Sequence, residues 1–164
     1  MITLERISPG NVLVFKTVRL RALQEAPTAF GSTYARESQL TDEDWRQRSL
    51  RWTSDGNIGY LAFCGDQCCG LVACYTEQPD LGRGHVVSIW VDPDYRRAGV
   101  GHALIEALKT WAFSIDLLEL HLHVTSVNAG AIRFYERLGF RRTGKTEPYP
   151  NDPTIVEYEM ILPL

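Results

Sequence analysis

Nothing in the sequence is apolar for long enough to cross a bilayer; no run approaches the roughly 20 residues that a membrane helix needs. The N-terminus has neither the basic start nor the apolar stretch of a secretory signal. A cytoplasmic location with no membrane partner is therefore expected. Net charge is nearly as scarce. Lys and Arg number 17 against 20 Asp and Glu, a formal −3, which gives no electrostatic reason to expect nucleic acid or an anionic surface as partner. Cysteine is present without a binding pattern. Cys64, Cys68, Cys69 and Cys74 include no Cys-x-x-Cys pair, and no histidine falls among them. They are read as small core hydrophobes, and no metal is expected.

What is present fits one domain over residues 1–164, with 45% hydrophobic and 23% charged residues. Ile2, Leu4 and Ile7 suggest a first strand. Ser8-Pro9 is a helix start, and Val12, Phe15, Val18, Leu20 and Leu23 give that helix its apolar positions before Pro27. A turn or lid at Ala29–Ser32 and a short polar helix follow. Thr41 with Asp44 forms a capping box for a helix through Trp45, Leu50 and Trp52. The apolar runs Ile58–Cys64 and Cys68–Thr76, joined by only three residues, predict an antiparallel hairpin. A strand over His85–Val91, a helix to Phe113 and a strand over Leu117–Val124 imply a parallel right-handed crossover. In that last strand, Leu118, Leu120, Leu122 and Val124 share one face. Asn128–Leu138 reads as a helix ended by Gly139 in a left-handed position. Phe140–Thr146 and Thr154–Leu162 are the final strands. The sum is an α/β fold: a mixed sheet of about seven strands flanked by about four helices.

The turn between the central strand and its helix, Val91-Asp-Pro-Asp-Tyr-Arg-Arg-Ala-Gly-Val-Gly101, carries the chemistry. Gly99 and Gly101 put no side chain in the way of a ligand, so amides at the helix start can point outward together. The helix dipole behind them makes an anion site, and Arg96 and Arg97 can add charge-assisted hydrogen bonds. A dinucleotide fingerprint would need glycine where Leu104 stands. A P-loop would need Lys-Ser/Thr where His102 follows Gly101.

Arg96-x-x-Gly99-x-Gly101 behind Val91-x-Pro93 instead resembles the acetyl-coenzyme A loop of the GNAT N-acetyltransferase superfamily. A second segment, Asn128-Ala-Gly-Ala-Ile-Arg-Phe-Tyr135-Glu-Arg-Leu-Gly139-Phe140, is similar to the same family's Asn-x-x-Ala-x-x-x-Tyr-x-x-x-Gly-Phe motif, with one strand between the two. The resemblance implies a GNAT-like fold and acetyl transfer from the cosubstrate acetyl-CoA to a primary amine, by direct attack in a ternary complex. It implies that the Tyr135 hydroxyl protonates the departing thiolate, that Asn128 contacts pantetheine, and that the backbone of Ile89 and Val91 pairs with pantetheine like an added strand. Arg96, Arg97, Gly99, Val100, Gly101 and His102 would surround the pyrophosphate, and Arg137 would meet the 3′-phosphate. Backbone amides near Ile89–Val91 could stabilise the developing oxyanion.

Strand alternation puts Glu119, His121, His123 and Thr125 on one face. His123 stands five residues before Asn128, where some similar enzymes carry a catalytic carboxylate, and an ordinary imidazole suits proton acceptance at neutral pH. It is the expected general base, with Ser88, Glu77 or a water chain as alternatives. The acceptor is expected between the first helices and the loops 78–84 and 145–153. These segments hold the acids Glu25, Glu37, Asp80 and Asp152 and the aromatics Phe30, Tyr34, Trp90 and Tyr149. A small-molecule amine is the leading acceptor. A protein N-terminus or lysine, which needs an open groove, and a non-catalytic coenzyme A-binding module are the alternatives. The C-terminal strands offer an edge on which a homodimer could form.

Overall fold

The computed structural model describes residues 1–77 and 82–164. Its seven strands, β1 (Ile2–Arg6), β2 (Asn57–Cys64), β3 (Gln67–Tyr75), β4 (Arg83–Val91), β5 (Glu119–Thr125), β6 (Arg141–Tyr149) and β7 (Asp152–Pro163), form one sheet in the order β1-β2-β3-β4-β5-β7-β6. Only β4 and β5 pair in parallel, and every other neighbouring pair is antiparallel. Five α-helices accompany the sheet where about four were expected: α1 (Val12–Glu25), α2 (Tyr34–Glu37), α3 (Asp42–Arg51), α4 (Val100–Ser114) and α5 (Ala129–Arg137). The single-turn α2 is the short polar helix expected after Ala29–Ser32.

Local chemistry explains the helix ends. Ser8 and Asn11 cap each other reciprocally, opening a short 3-10 turn that leads into α1. The Asp44 amide donates to the Thr41 hydroxyl at 3.1 Å while the Thr41 amide donates to the Asp44 carboxylate at 2.9 Å, which starts α3. At the end of α5 the Phe140 and Gly139 amides donate to the Tyr135 and Glu136 carbonyls, and Gly139 has φ of 100°. That is a Schellman ending, and only glycine enters it without strain.

Two apolar layers sandwich the sheet. On one face α1 and α3 bury Phe15, Val18, Leu23 and Trp45 against Leu61, Leu71 and Trp90. On the other, Leu104, Ile105 and Leu108 of α4 and Tyr135 of α5 pack on Leu120, Leu122 and Val124. Each such large side chain contributes about 1.5–3 kcal/mol on burial. Leu118 does not join this row and is 70% exposed. The positive φ of Asp116 and the hydrogen bond from the Leu118 amide to the Gly82 carbonyl place Leu118 ahead of β5, where strand alternation has not begun. Both C-terminal strands run longer than expected, because β6 and β7 pair as far as Tyr149↔Asp152. β6 is exposed from Arg141 to Pro148 and carries Arg141, Arg142, Lys145 and Pro148, residue types that discourage unintended edge pairing.

All four cysteines are free. Cys69 and Cys74 are buried, and burial lifts the Cys74 thiol to about 12. Among the described residues no group of three potential metal ligands occurs, and no helix is long and apolar enough to cross a membrane.

Candidate active site

The two central strands part. β4 and β5 pair only at Arg83↔Glu119, Gly84↔Leu120 and His85↔His121. Beyond His85, β4 stays paired with β3 as far as Val91, and β5 stays paired with β7 as far as Thr125. A wedge therefore opens between them in the middle of the sheet. On its β4 side the register with β3 jumps from Ala73↔Val87 to Leu71↔Trp90, so Ser88 and Ile89 together oppose Val72. This is a β-bulge with Ser88 at φ of 58°. Ile89 has a register partner on neither neighbouring strand. A strand position without a ladder partner is one where the backbone can meet a ligand or a developing negative charge.

The wedge leads to the turn before α4. Asp92, buried and ion-paired with Arg21, accepts from the Asp94 amide at 2.9 Å and fixes the 3-10 turn at Pro93–Tyr95. Arg97 and Gly99 then adopt left-handed conformations, with φ of 67° and 88°. The backbone amides from Arg97 to His102 donate to no described acceptor, and the first bond of α4 runs from the Ala103 amide to the Gly99 carbonyl. This concave run of free amides at a helix start is an anion site. Arg97 and His102 are exposed beside it.

Two residues of this turn also serve the fold itself. At Gly101 a Cβ would stand 2.7 Å from Phe134 Cζ, so glycine is what lets α5 approach α4. Arg96 is engaged within the chain. Its Nε donates to the Val91 carbonyl at 3.0 Å and its Nη2 to Glu25 at 2.8 Å, and the Trp90 indole donates to the same carboxylate. Arg96 thereby ties the turn to the end of α1 and occupies the Val91 carbonyl, leaving Ile89 as the freer of the two backbone positions expected to pair with pantetheine.

α5 supplies the second motif. Asn128 caps it, its side-chain oxygen accepting from the Ala131 amide at 3.2 Å, while its side-chain nitrogen donates to no described residue. Tyr135 is buried between Phe134 and Phe140, with ring centroids 5.5 and 5.7 Å away. Its hydroxyl bonds no described residue, and burial pushes its phenol above the usual value, so it holds its proton. Val100 is buried in the core, and Arg137 is exposed on the last turn of α5.

The opposite face of the wedge is polar. His85 stacks on Tyr75 with centroids 5.1 Å apart and lies 5.9 Å from the His121 ring. Burial first, and then neighbouring positive groups against the pull of Glu77, lowers its affinity for a proton. His121 Nε2 sits 2.9 Å from Glu119, which also accepts from Arg83. His123 lies on the splayed part of β5, with Nε2 3.2 Å from Glu147 and 3.9 Å from Glu159. Glu157 faces the same group. Burial raises its carboxyl and so does Glu147, while His123 works against both. The structure thus brings His123, Ser88 and Ile89 to the wedge, but it also brings His85, which the sequence reading did not single out.

A buried ion network joins this face to the helices. Arg19 Nε and Nη2 donate to the two oxygens of Glu37 at 3.0 and 2.9 Å, and Nη1 donates to the Ser88 hydroxyl at 3.0 Å. Arg48 adds a bond to Glu37 at 3.0 Å. The only sequence signal for Arg19 is a charge at helical spacing from Phe15 and Ala22, on the stripe that α1 buries. Of the expected acceptor walls, Tyr34 is exposed and Asp152 accepts from Thr154. Tyr149 and Asn151 instead clasp the first helices: the Tyr149 hydroxyl donates to the Phe30 carbonyl, and Asn151 Nδ2 donates to the Phe30 and Ser32 carbonyls. Residues 78–81, with Asp80, lie outside the described residues.

Residues 20–140 match the acetyltransferase (GNAT) family model. A ribosomal protein bS18-alanine N-acetyltransferase of Escherichia coli is 32% identical over 75% of this chain and 82% of its own length. A mycothiol acetyltransferase of Actinosynnema mirum is 34% identical over 68% of this chain but only 37% of its own length, so the chain spans little more than a third of that relative. The fold also matches the PaiA N-acetyltransferase of Thermoplasma acidophilum solved with coenzyme A, at a TM-score of 0.79 and 15% identity over 100% of this chain and 99% of that one. With the family model spanning most of the residues that build the wedge, the turn and α5, the chain belongs to the acetyltransferase (GNAT) family.

Proposed function

We propose that the chain transfers the acetyl group of acetyl-CoA to the primary amine of a small molecule, by direct attack in a ternary complex. The observation that carries this reading is the wedge between β4 and β5, with Ile89, which has no register partner on either neighbouring strand, on one side and the free amides of 97–102 at its mouth. When bound, acetyl-CoA supplies the activated acyl group. The chain's own residues meet its chemical demands in turn. Amides 97–102, with Arg97 and His102, bind the pyrophosphate, and the side-chain nitrogen of Asn128 and the Ile89 backbone hold the pantetheine arm. Arg137 meets the 3′-phosphate. The Ile89 amide stabilises negative charge as it develops on the thioester oxygen. His123 takes the amine's proton through Nδ1, the ring nitrogen that Glu147 and Glu159 leave free. Tyr135, kept protonated by burial, gives a proton to the departing sulfur.

The clasp of Tyr149 and Asn151 on Phe30 and Ser32 supports a small acceptor. It closes the ground between the first helices and the β6–β7 turn, along which an extended peptide would otherwise lie. The similarity to the bS18-alanine acetyltransferase favours a protein N-terminus as the second reading. An acceptor screen decides between them. Offered small amines beside peptides with free N-termini, the protein should release coenzyme A thiol with a small amine. Tyr135→Phe should then lower kcat about 10²-fold with acetyl-CoA binding intact. Release of thiol with peptides alone would transfer the assignment to the second reading, and saturable binding without transfer to any amine would remove catalysis from the account.

A further inference from the structure

We propose that Arg19 is a positioning residue for acetyl transfer: it holds Ser88 in the left-handed conformation that creates the β4 bulge, and Glu37 and Arg48 hold Arg19. The inference rests on the acetyl-transfer reading above and deepens it. The starting point is an oddity of backbone geometry. The first residue of a bulge with positive φ is ordinarily glycine, because a side chain there crowds the following carbonyl. Here it is serine, with φ of 58°. A strained conformation of this kind persists only where its surroundings over-determine it, and among the described residues the one side-chain hydrogen bond of Ser88 comes from Arg19 Nη1 at 3.0 Å.

Arg19 has no freedom to let go. Its guanidinium is a rigid planar fork, and two of its donors are already committed to both oxygens of Glu37. Glu37 is 1% exposed and also accepts from Arg48, and the Arg19 guanidinium lies over the Phe30 ring at 4.8 Å. With those contacts fixed, Nη1 has one direction to point, and it points at Ser88. The bulge in turn is what leaves Ile89 without a partner on β3. If the tether is lost, β4 can relax toward a regular ladder, and the Ile89 amide turns away from the thioester oxygen. The sequence separations, 18 residues from Arg19 to Glu37 and 69 to Ser88, show that three distant segments meet at this point.

The test reads the amide's effect on the carbonyl directly and needs no acceptor. Acetyl-CoA labelled with carbon-13 at the thioester carbonyl is bound to the wild-type protein and followed by isotope-edited infrared spectroscopy, with affinity from calorimetry and stability from thermal unfolding. The carbonyl band should move to lower wavenumber on the wild-type protein. Ser88→Ala and Arg19→Met should bind within about threefold of wild type and lose most of that movement. Should Arg19→Met fail to fold because Glu37 is left without its main partner, Arg19→Met/Glu37→Leu removes the pair together, and Ser88→Ala leaves the pair untouched. Variants that fold, bind and still move the band as the wild type does overturn the inference alone. A wild-type protein that binds no acetyl-CoA, or binds it with an unmoved band, overturns the acetyl-transfer reading and this inference with it.

Discussion

Gly99 and Gly101 stand two residues apart and serve unlike ends. At Gly99, φ of 88° excludes a side chain while the space around it is open, with Ile2 Cδ1 the nearest atom at 3.9 Å from a built Cβ. Gly99→Ala should therefore cost roughly 1–2 kcal/mol in backbone strain and weaken acetyl-CoA binding, because the strain falls on the amides that face the anion. At Gly101 the backbone is helical and the obstacle is Phe134. Gly101→Ala should destabilise the fold by about 1–3 kcal/mol through overpacking, and Phe134→Leu in the same chain should recover part of that loss. Thermal unfolding checks the two stabilities and calorimetry the binding; equal rescue of both glycine variants by Phe134→Leu would contradict this division. From the sequence alone both glycines look like bare spots for a ligand. Only the packing of α5 on α4 separates them, and helix packing has no local signature.

At the scale of elements, α1, α2 and α3 are lashed together at Glu37. Burial on its own would raise this carboxyl, but the hydrogen bonds and charge of Arg19, with Ser32 and Arg48, outweigh it and hold the group below its ordinary 4.5. As pH falls through 4.5, the unfolded chain takes up that proton before the folded one does. Stability supplied by the network is thus complete above 4.5 and is lost as pH falls toward the folded value. Denaturant titrations across this acid range should show the decline, and Glu37→Gln should flatten it. The cap of α3 is a separate matter: Thr41→Ala should remove about 1 kcal/mol and leave acetyl-CoA binding alone. That cap, the Schellman end of α5 and the β2–β3 hairpin were all legible in the sequence because their determinants lie within a few residues of each other. The network at Glu37, the bond from Arg96 to Glu25 across 71 residues and the clasp from Tyr149 to Phe30 were not, since each pairs residues that only the fold brings together. Leu118 fails for the reverse reason: alternation was extended one residue past the place where the strand begins.

Across the whole molecule, a continuous seven-stranded sheet contains one seam, and the seam separates the chain's two kinds of chemistry. On the α4–α5 side lie the free amides, Asn128 and Tyr135; on the α1–α3 side lie His85, His121, His123 and the Arg19 network. An acyl group presented through the seam would meet an amine arriving from the other face, as the proposed direct transfer requires. The most direct measurement of this arrangement is an amide-resolved nuclear magnetic resonance titration of the nitrogen-15-labelled protein with acetyl-CoA. The backbone amides of Ile89 and of Arg97 to His102 should shift first and furthest, in saturable fashion. Saturating acetyl-CoA that leaves those resonances in place, or that moves a different set, would contradict it.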